Sequence, residues 1–445
     1  MSELRGIATD VYVWGSALVD AMRLRHNVTS PRDPLAARPP SSAAAALDNL
    51  GHQRRLSDPD LTVGVAPNVD TLYSLAWLDL DAGPFVLETP DFGDRYHTFQ
   101  LAHANTECDL ALGRRTHGSQ LPPLLIHGPT YDGPVPDDVE PIRSRTRYFL
   151  VAGRVLVEPG VDGDVERVHA LQRQMRLRPL AERRRADGLN DIPAQRPFPT
   201  ADDVADPDLV FLDQLGAVVD DEVFEPADDE LLAKAAVLGV VPGRGFDASS
   251  LGATSRTEVL AGLRDGDALV DAKIGSLGHS ANGWSTNLLG PRFGSDHLLR
   301  AAVARNQIYV LPVEEALYPV ARVDGGGQPL VGSSAYALRF DRPPPVDAFW
   351  SLTVYAKPGR LVRNPIDRYA IGDRTPGFRQ GDGPVEVLLR HAPPPGATDR
   401  WLPVPAGEFH LMLRLYIPRP EAIAGTWAPP PVEPAGGAGA PPPAP

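Results

Sequence analysis

The sequence predicts a mainly β protein with helices: two related antiparallel β-sandwich, jelly-roll-like domains joined by a helical bridge. Three observations point there. Short β-favouring runs, separated by Gly, Pro and Asp, fill the chain from about residue 61 to 157 and again from 328 to 418. Helical periodicity is confined to the first 30 residues and the middle. A short polar-aromatic motif occurs in both β-rich halves, in the same order relative to a second motif.

The elements follow in order. Ile7, Val11, Trp14, Leu18 and Met22 recur at helical spacing and predict a first helix. A Pro/Ala loop and a polar stretch with His52 complete an N-terminal helical segment, 1–60. The runs TVGVAPNVDTLYSLAWLDL, GPFVLETP, DRYHTFQLAHA and RTRYFLVAGRVLV read as strands of a first sandwich, 61–180. Asp164 is placed to cap a helix carrying Val168, Leu171 and Met175. Residues 181–310 read as a helical bridge, with helices through DDELLAKAAVLGV, from Thr257 to Ile274 and from Ser295 to Arg305. LVGSSAYALRF, AFWSLTVYA, RYAIG, VEVLLRH and FHLMLRLYI make a second sandwich, 311–430. The Pro/Gly/Ala-rich residues 431–445 read as a disordered tail.

The repeated motif is Asp70-Thr71-Leu72-Tyr73-Ser74-Leu75 against Asp347-Ala348-Phe349-Trp350-Ser351-Leu352, followed by Asp94-Arg95-Tyr96 against Asp367-Arg368-Tyr369. In a strand, Asn68, Asp70 and Leu72 face one way, and Tyr73, Leu75 and Trp77 the other. The apolar-aromatic row calls for a core. The Asn/Asp row calls for water, a polar network or a ligand.

Bulk properties exclude several classes. A length of 445 residues suits two or three domains, and 42% hydrophobic content suffices for cores. A net charge of −14 argues against nucleic acid and anionic membrane surfaces as partners. No stretch nears the roughly 20 apolar residues of a membrane span, and the first residues lack the pattern of a signal peptide. With one cysteine, Cys108, an internal disulfide is excluded, and the cytoplasm is the expected compartment.

APNVDTLYSLAWLDL, DRYHTFQLAHANTECDLALGRRTHG and HGPTYDGPVP resemble proteins carrying domain of unknown function 1254. YVLPVEEALYPVARVDGGGQPLVGSSAYALRF, PPPVDAFWSLTVYAKPGRLVRNPIDRYAIGD, WLPVPAGEFHLMLRLYIP and TWAPPPVEP resemble domain of unknown function 1214, its usual companion. The resemblance implies β-sandwich domains joined by helices and brings no settled activity.

The residues themselves suggest an enzyme acting on a small organic molecule by general acid/base chemistry, without a nucleotide or other cofactor; hydrolase, lyase and isomerase stay open. His52, Asp70, Tyr73 and Arg95 are the catalytic candidates: His52 or Asp70 as base, Tyr73 as acid, Arg95 as anchor for a carboxylate or oxyanion. Asn68, Tyr96, Asn105 and Arg115 are expected to bind substrate beside them. The alternative reading of these residues is a buried structural network, with Arg95 pairing Asp70 or Asp94. Trp350, Tyr355, Arg368 and Tyr369, with Asn364, Asp382 and Trp401, could form a second small-molecule or carbohydrate contact. Hence a non-catalytic binding protein is the second expectation, and an oligomeric assembly module, built on exposed sandwich edges, the third. His97 and His103 lie too far apart along one strand to share a metal, so none is expected. Acidic neighbours make Cys108 a poor nucleophile.

Overall fold

The structure, a computed structural model, describes residues 2–61, 66–185, 188–195, 198–222, 224–378, 383–396 and 398–435. Antiparallel sheets dominate, with helices beside them. The first helix, α1 (Glu3–Thr29), follows its apolar spacing: Val11, Trp14, Leu18 and Met22 are buried, and the Ser2 hydroxyl accepts the Arg5 backbone N–H at its start.

In the N-terminal half, β1 (Gly51–His52), β2 (Thr71–Asp79), β8 (Tyr148–Leu156), β4 (His97–His103) and β5 (Leu110–Gly113) hydrogen-bond in that order, all antiparallel. A second sheet runs β7 (Glu140–Arg143), β6 (Leu124–His127), β3 (Phe85–Glu88), β9 (Arg176–Pro179), with β6 and β7 parallel. Leu72, Leu78 and Phe99 of the first sheet meet Leu87, Ile126 and Leu177 of the second in one buried core. Short α2 (Arg114–His117) follows β5, and α3 (Asp164–Gln172) precedes β9. Gly163, not Asp164, is the cap of α3. The Asp164 carboxylate is committed elsewhere, to Arg95 and the Glu158 backbone N–H.

The other face of β2 and β8 is also covered. Trp77, Tyr148 and Leu150 pack with α1, α4 (Val210–Asp221), α5 (Asp229–Val237) and α6 (Ala253–Ile274). Of the β2 row expected to seek a sandwich core, Trp77 is buried against helices, while Tyr73 and Leu75 are half-buried. Gly262 of α6 explains the close fit to α1, since a Cβ there would lie 2.3 Å from the Arg5 carbonyl oxygen. The middle of the chain thus joins the N-terminal helix in a layer. A small hairpin, β10 (Val240–Val241) and β11 (Gly245–Phe246), lies within this region. Helix α7 (His297–Asn306) begins at Asp296, whose carboxylate accepts the Leu299 N–H.

In the C-terminal half one sheet runs β12 (His279–Ala281), β13 (Trp284–Thr286), β15 (Val320–Ala321), β21 (Phe409–Pro418), β17 (Val346–Ala356), β18 (Ala370–Gly372), with β14 (Ala316–Leu317) also on β21. The other runs β20 (Trp401–Pro403), β19 (Val385–Arg390), β16 (Tyr336–Phe340), β22 (Val432–Pro434). Trp350, Leu352 and Leu413 meet Leu338, Val387 and Leu389 in their shared core. Strand β22 lies in the stretch expected to be a disordered tail, and Val432 is buried; residues 436–445 are outside the described ones. Helix α8 (Pro420–Ile423) follows β21. Between the Val346–Pro418 and Phe349–Tyr416 pairs, β17 spends three residues against two on β21, which is a β-bulge.

The halves meet through apolar and polar contacts. Tyr96, Phe349 and Tyr416 pack together, and the Tyr355 hydroxyl donates to the Pro67 carbonyl at 2.7 Å. No helix among the described residues is long and apolar enough to cross a membrane.

Candidate binding site between the two halves

Strand alternation decides what enters the space between the halves. Tyr73 and Leu75 of β2, and Leu150, Ala152 and Arg154 of β8, point away from the two-sheet core. Gln100 of β4 joins them. Met412 and Arg414 of β21 and Tyr318 come from the C-terminal half. These side chains bound a cavity of about 230 Å³, closed on one side by Leu24 and Val28 of α1. The segment Ile308–Val310 forms another wall. Ile308 and Tyr309 both have left-handed backbone, φ 35° and 40°, and Gln100 Nε2 donates to the Tyr309 and Val310 carbonyls at 2.9 and 2.8 Å.

Two guanidinium groups dominate the electrostatics. Arg154 donates to the Tyr73 hydroxyl (3.0 Å), Gln100 Oε1 (2.8 Å) and the Ala152 carbonyl (3.4 Å). Arg414 donates to the hydroxyls of Thr353 (2.8 Å) and Tyr355 (2.7 Å) and to the Ala66 carbonyl (2.8 Å). All six acceptors are neutral, and among the described residues neither arginine has a carboxylate oxygen within 4.0 Å. Each guanidinium carries about five N–H donors, so donors are left over on both. Arg25 and Arg300 are also buried, but neither lines the cavity, and each feels a carboxylate, Glu222 for Arg25 and Glu107 and Asp228 for Arg300. The described cavity wall holds no histidine and no carboxylate. Burial pushes the Tyr318 hydroxyl up to about 12, so it is protonated at neutral pH.

The four residues expected to be catalytic are dispersed. Tyr73 lines the cavity as the acceptor of Arg154. His52 pairs with Ser74, its Nδ1 2.9 Å from the Ser74 hydroxyl. Ser74 and Tyr73 alternate on the strand, so this contact is on the opposite face of the sheet from the cavity. Burial, then Arg54, pushes His52 down to about 4. Arg95 grips Asp164 through both terminal nitrogens (2.7 and 2.6 Å) and the Leu156 carbonyl (2.8 Å), so it meets neither Asp70 nor Asp94. Asp70 accepts the Ser351 hydroxyl at 2.6 Å and faces a second cleft, of about 520 Å³, with Arg374 and Tyr369. Burial raises its carboxyl, while Arg414 opposes the shift from across the wall between the two spaces.

The expected binding residues also separate. Asn68 lines the cavity, accepts the Asp70 and Thr71 N–H groups and donates to the Tyr416 hydroxyl at 2.7 Å. Tyr96 and Arg115 both bond Glu315, at 2.7 and 2.8 Å, in a buried tie between the halves. Asn105 closes a turn onto the Glu107 N–H. The Trp350 ring sits in the C-terminal core beside Phe340 and Phe378, and the residue is only 2% exposed at the edge of the second cleft. Tyr355 supports Arg414. Arg368 is bonded to the Thr398 and Trp401 carbonyls, and Tyr369 to Asp367. Asn364 closes its own loop onto the Arg368 carbonyl, Trp401 donates to the Arg390 carbonyl, and Asp382 lies outside the described residues. His97 stacks on Phe92, while His103 meets Asp109. Among the described residues no three His, Cys, Asp or Glu gather as a metal set. Cys108 is buried, and its thiol is pushed up to about 12.

Arg154, Arg414, Gln100 and Tyr318 were not anticipated. One signal was available: in FHLMLRLYI, Arg414 shares a row with His410, Met412 and Tyr416 opposite an all-apolar Phe/Leu/Ile row, so a charge stands among large, partly apolar side chains.

The arrangement can hold an anion against two guanidiniums with apolar surface around it. The comparisons with known proteins bring no activity. Residues 47–179 match the family described as "Protein of unknown function (DUF1254)", and residues 315–420 that described as "Protein of unknown function (DUF1214)". The crystal structure of the VPA0106 protein from Vibrio parahaemolyticus is similar with a TM-score of 0.68 at 23% identity, over 97% of this chain and 100% of that one. That likeness concerns the fold. An uncharacterized protein from Burkholderia cenocepacia gives a TM-score of 0.44 at 15% identity over 94% of this chain and 85% of that one. No curated protein sequence matches. The chain belongs with the proteins that carry a DUF1254 segment followed by a DUF1214 segment.

Proposed function

We propose that the chain is a binding protein for a small organic anion with an apolar body, held in the cavity between its halves. The reading rests on Arg154 and Arg414, two buried cations with no carboxylate oxygen within 4.0 Å among the described residues, which border one largely apolar space. Burying an unpaired charge costs several kcal/mol, and a ligand carboxylate would offset that cost with charge-assisted hydrogen bonds. Each half contributes one arginine. We read each half as a β-sandwich, on the support that its two sheets share one apolar core; the cavity would then lie between two rigid bodies.

Acid/base catalysis is the second reading, favoured by one observation: Asp70, a half-buried residue, has its carboxyl raised by desolvation at the floor of the larger cleft. The test is titration calorimetry with carboxylates and the alcohols and amides of the same skeletons. Carboxylates should bind and their neutral counterparts should not. Arg154→Met and Arg414→Met should each weaken binding by about 30-fold or more, the value of a lost charge-assisted contact. Equal binding of acid and amide, or wild-type affinity in both variants, would remove the proposal.

A further inference from the structure

We infer that the cavity selects a compact monocarboxylate, and that Asp70 is the residue that excludes a second negative charge from it. This deepens the anion-binding reading and rests on it. Size comes first. An apolar cavity of about 150 Å³ takes benzene, so 230 Å³ holds roughly nine non-hydrogen atoms on the same scale. Benzoate and hexanoate are of that size; a long-chain fatty acid is not.

Charge comes second. The cavity wall brings two positive groups, Arg154 and Arg414, and no negative one among the described residues. Asp70 stands behind this wall. Its backbone N–H donates to Asn68, two residues earlier, which lines the cavity, and it interacts electrostatically with Arg414. The groups facing Asp70 come from every neighbouring element: Arg414 and Tyr416 of β21, Ser351 and Tyr355 of β17, and Asp373 and Arg374 after β18. Asp373 and Arg374 offset each other, and Arg374 also meets the half-exposed Glu158 at 3.3 Å. Ser351, Tyr355 and Tyr416 are neutral. Glu158 is the one of these groups that solvent screens, so the buried sum left is two guanidiniums and one carboxylate, a single surplus positive charge. A monoanion neutralises it. A dianion would leave an uncompensated negative charge in a poorly solvated space beside Asp70, where charges interact strongly.

Asp70 also has no ion pair of its own among the described residues, and Ser351 is its one hydrogen-bond donor there. Its charge therefore acts mainly on Arg414 and on whatever Arg414 holds. Removing that charge while keeping the side-chain shape should alter ligand choice, not only affinity.

The experiment compares hexanoate with glutarate, which is of similar size but carries a second carboxylate, by calorimetry at neutral pH. Butanoate and decanoate test the size limit. The full-length wild type should prefer hexanoate to glutarate, with both shorter and longer acids weaker. Asp70→Asn should narrow the hexanoate-to-glutarate ratio on the order of tenfold. Asp70→Ser, which keeps a hydrogen-bonding partner for Ser351, replaces it if the Asn variant does not fold. An unchanged ratio in a folded Asp70 variant, or equal affinity of the wild type for both acids, would overturn the charge inference while leaving anion binding intact. Tighter binding of decanoate than hexanoate would overturn the size inference. If no carboxylate of the series binds, the anion-binding reading itself fails.

Discussion

Tyr73-Ser74 and Trp350-Ser351 occupy the same places in two nearly matching motifs, yet they face opposite ways. In β2 the aromatic residue points to the space between the halves and the serine points inward, to His52. In β17 the aromatic residue is in the core and the serine points across to Asp70. The bulge after Val346 accounts for this. One extra residue in a strand of period two reverses the phase of everything that follows. Likeness of letters therefore does not carry over to likeness of role. The mismatch shows in the two arginines: Tyr73 lines the cavity and accepts from Arg154, whereas Thr353 and Tyr355 stand behind the wall and hold Arg414.

The two Asp-Arg-Tyr copies differ in the same manner, and this difference should give the largest measurable effect. Arg95 neutralises Asp164, whose side chain is only 3% exposed, whereas Arg368 is bonded to backbone carbonyls near the surface. Burial works against the Asp164 charge, and the Arg95 hydrogen bonds outweigh it, holding that carboxyl below its ordinary value. Arg95→Gln should cost about 3 kcal/mol, since the buried Asp164 carboxylate keeps only the Glu158 N–H and the more exposed Arg167, and Arg368→Gln no more than about 1 kcal/mol. Urea denaturation reads both, and equal losses would break the contrast.

Acid sensitivity should be the next largest effect. Burial pushes His52 and His97 in the N-terminal half down to about 4, and His410 in the C-terminal half down to about 3, from an unfolded value of 6.5. The unfolded chain thus takes up protons that the folded chain refuses. Stability is complete above pH 6.5 and declines as pH falls towards about 4, by roughly 2–3 kcal/mol for each buried histidine. His97→Gln should flatten the profile in the N-terminal half. A profile unchanged between pH 7 and pH 4.5 would show that these rings protonate freely.

The smallest effect separates the two serines. Ser351→Ala removes the hydroxyl donor of a desolvated carboxylate and should cost about 1–2 kcal/mol. Ser74→Ala takes the partner of the neutral His52 Nδ1 but leaves Gln172 with the Gln53 and Tyr73 carbonyls, and should cost less, about 0.5–1 kcal/mol. The reverse order by thermal denaturation would mean that the Asp70 contact is not the stronger one.

Much of the fold was legible. Period-two runs marked β2, β4, β8, β17 and β21, and apolar spacing marked α1, because alternation and helical spacing are local properties. The bulge was not legible, since nothing about Asp347 and Ala348 alone says that they occupy one position opposite β21. The site was half legible. Asn68 and Tyr73 border the cavity as polar residues in an apolar run, and Asp70 stands just behind them. Arg95 could not be told from Arg154 by sequence, for each is an arginine at the edge of a strand pattern. What separates them is the presence of Asp164, which only the packing of α3 against the sheet supplies.

The wall at Ile308 and Tyr309 bears on how long a guest would stay. Consecutive left-handed residues, one of them β-branched, cost on the order of 1–3 kcal/mol each. The two hydrogen bonds from Gln100 hold them there. Burial of Tyr309 against Trp77 holds them as well, so a guest would stay against a wall whose cost the fold has met before it arrives.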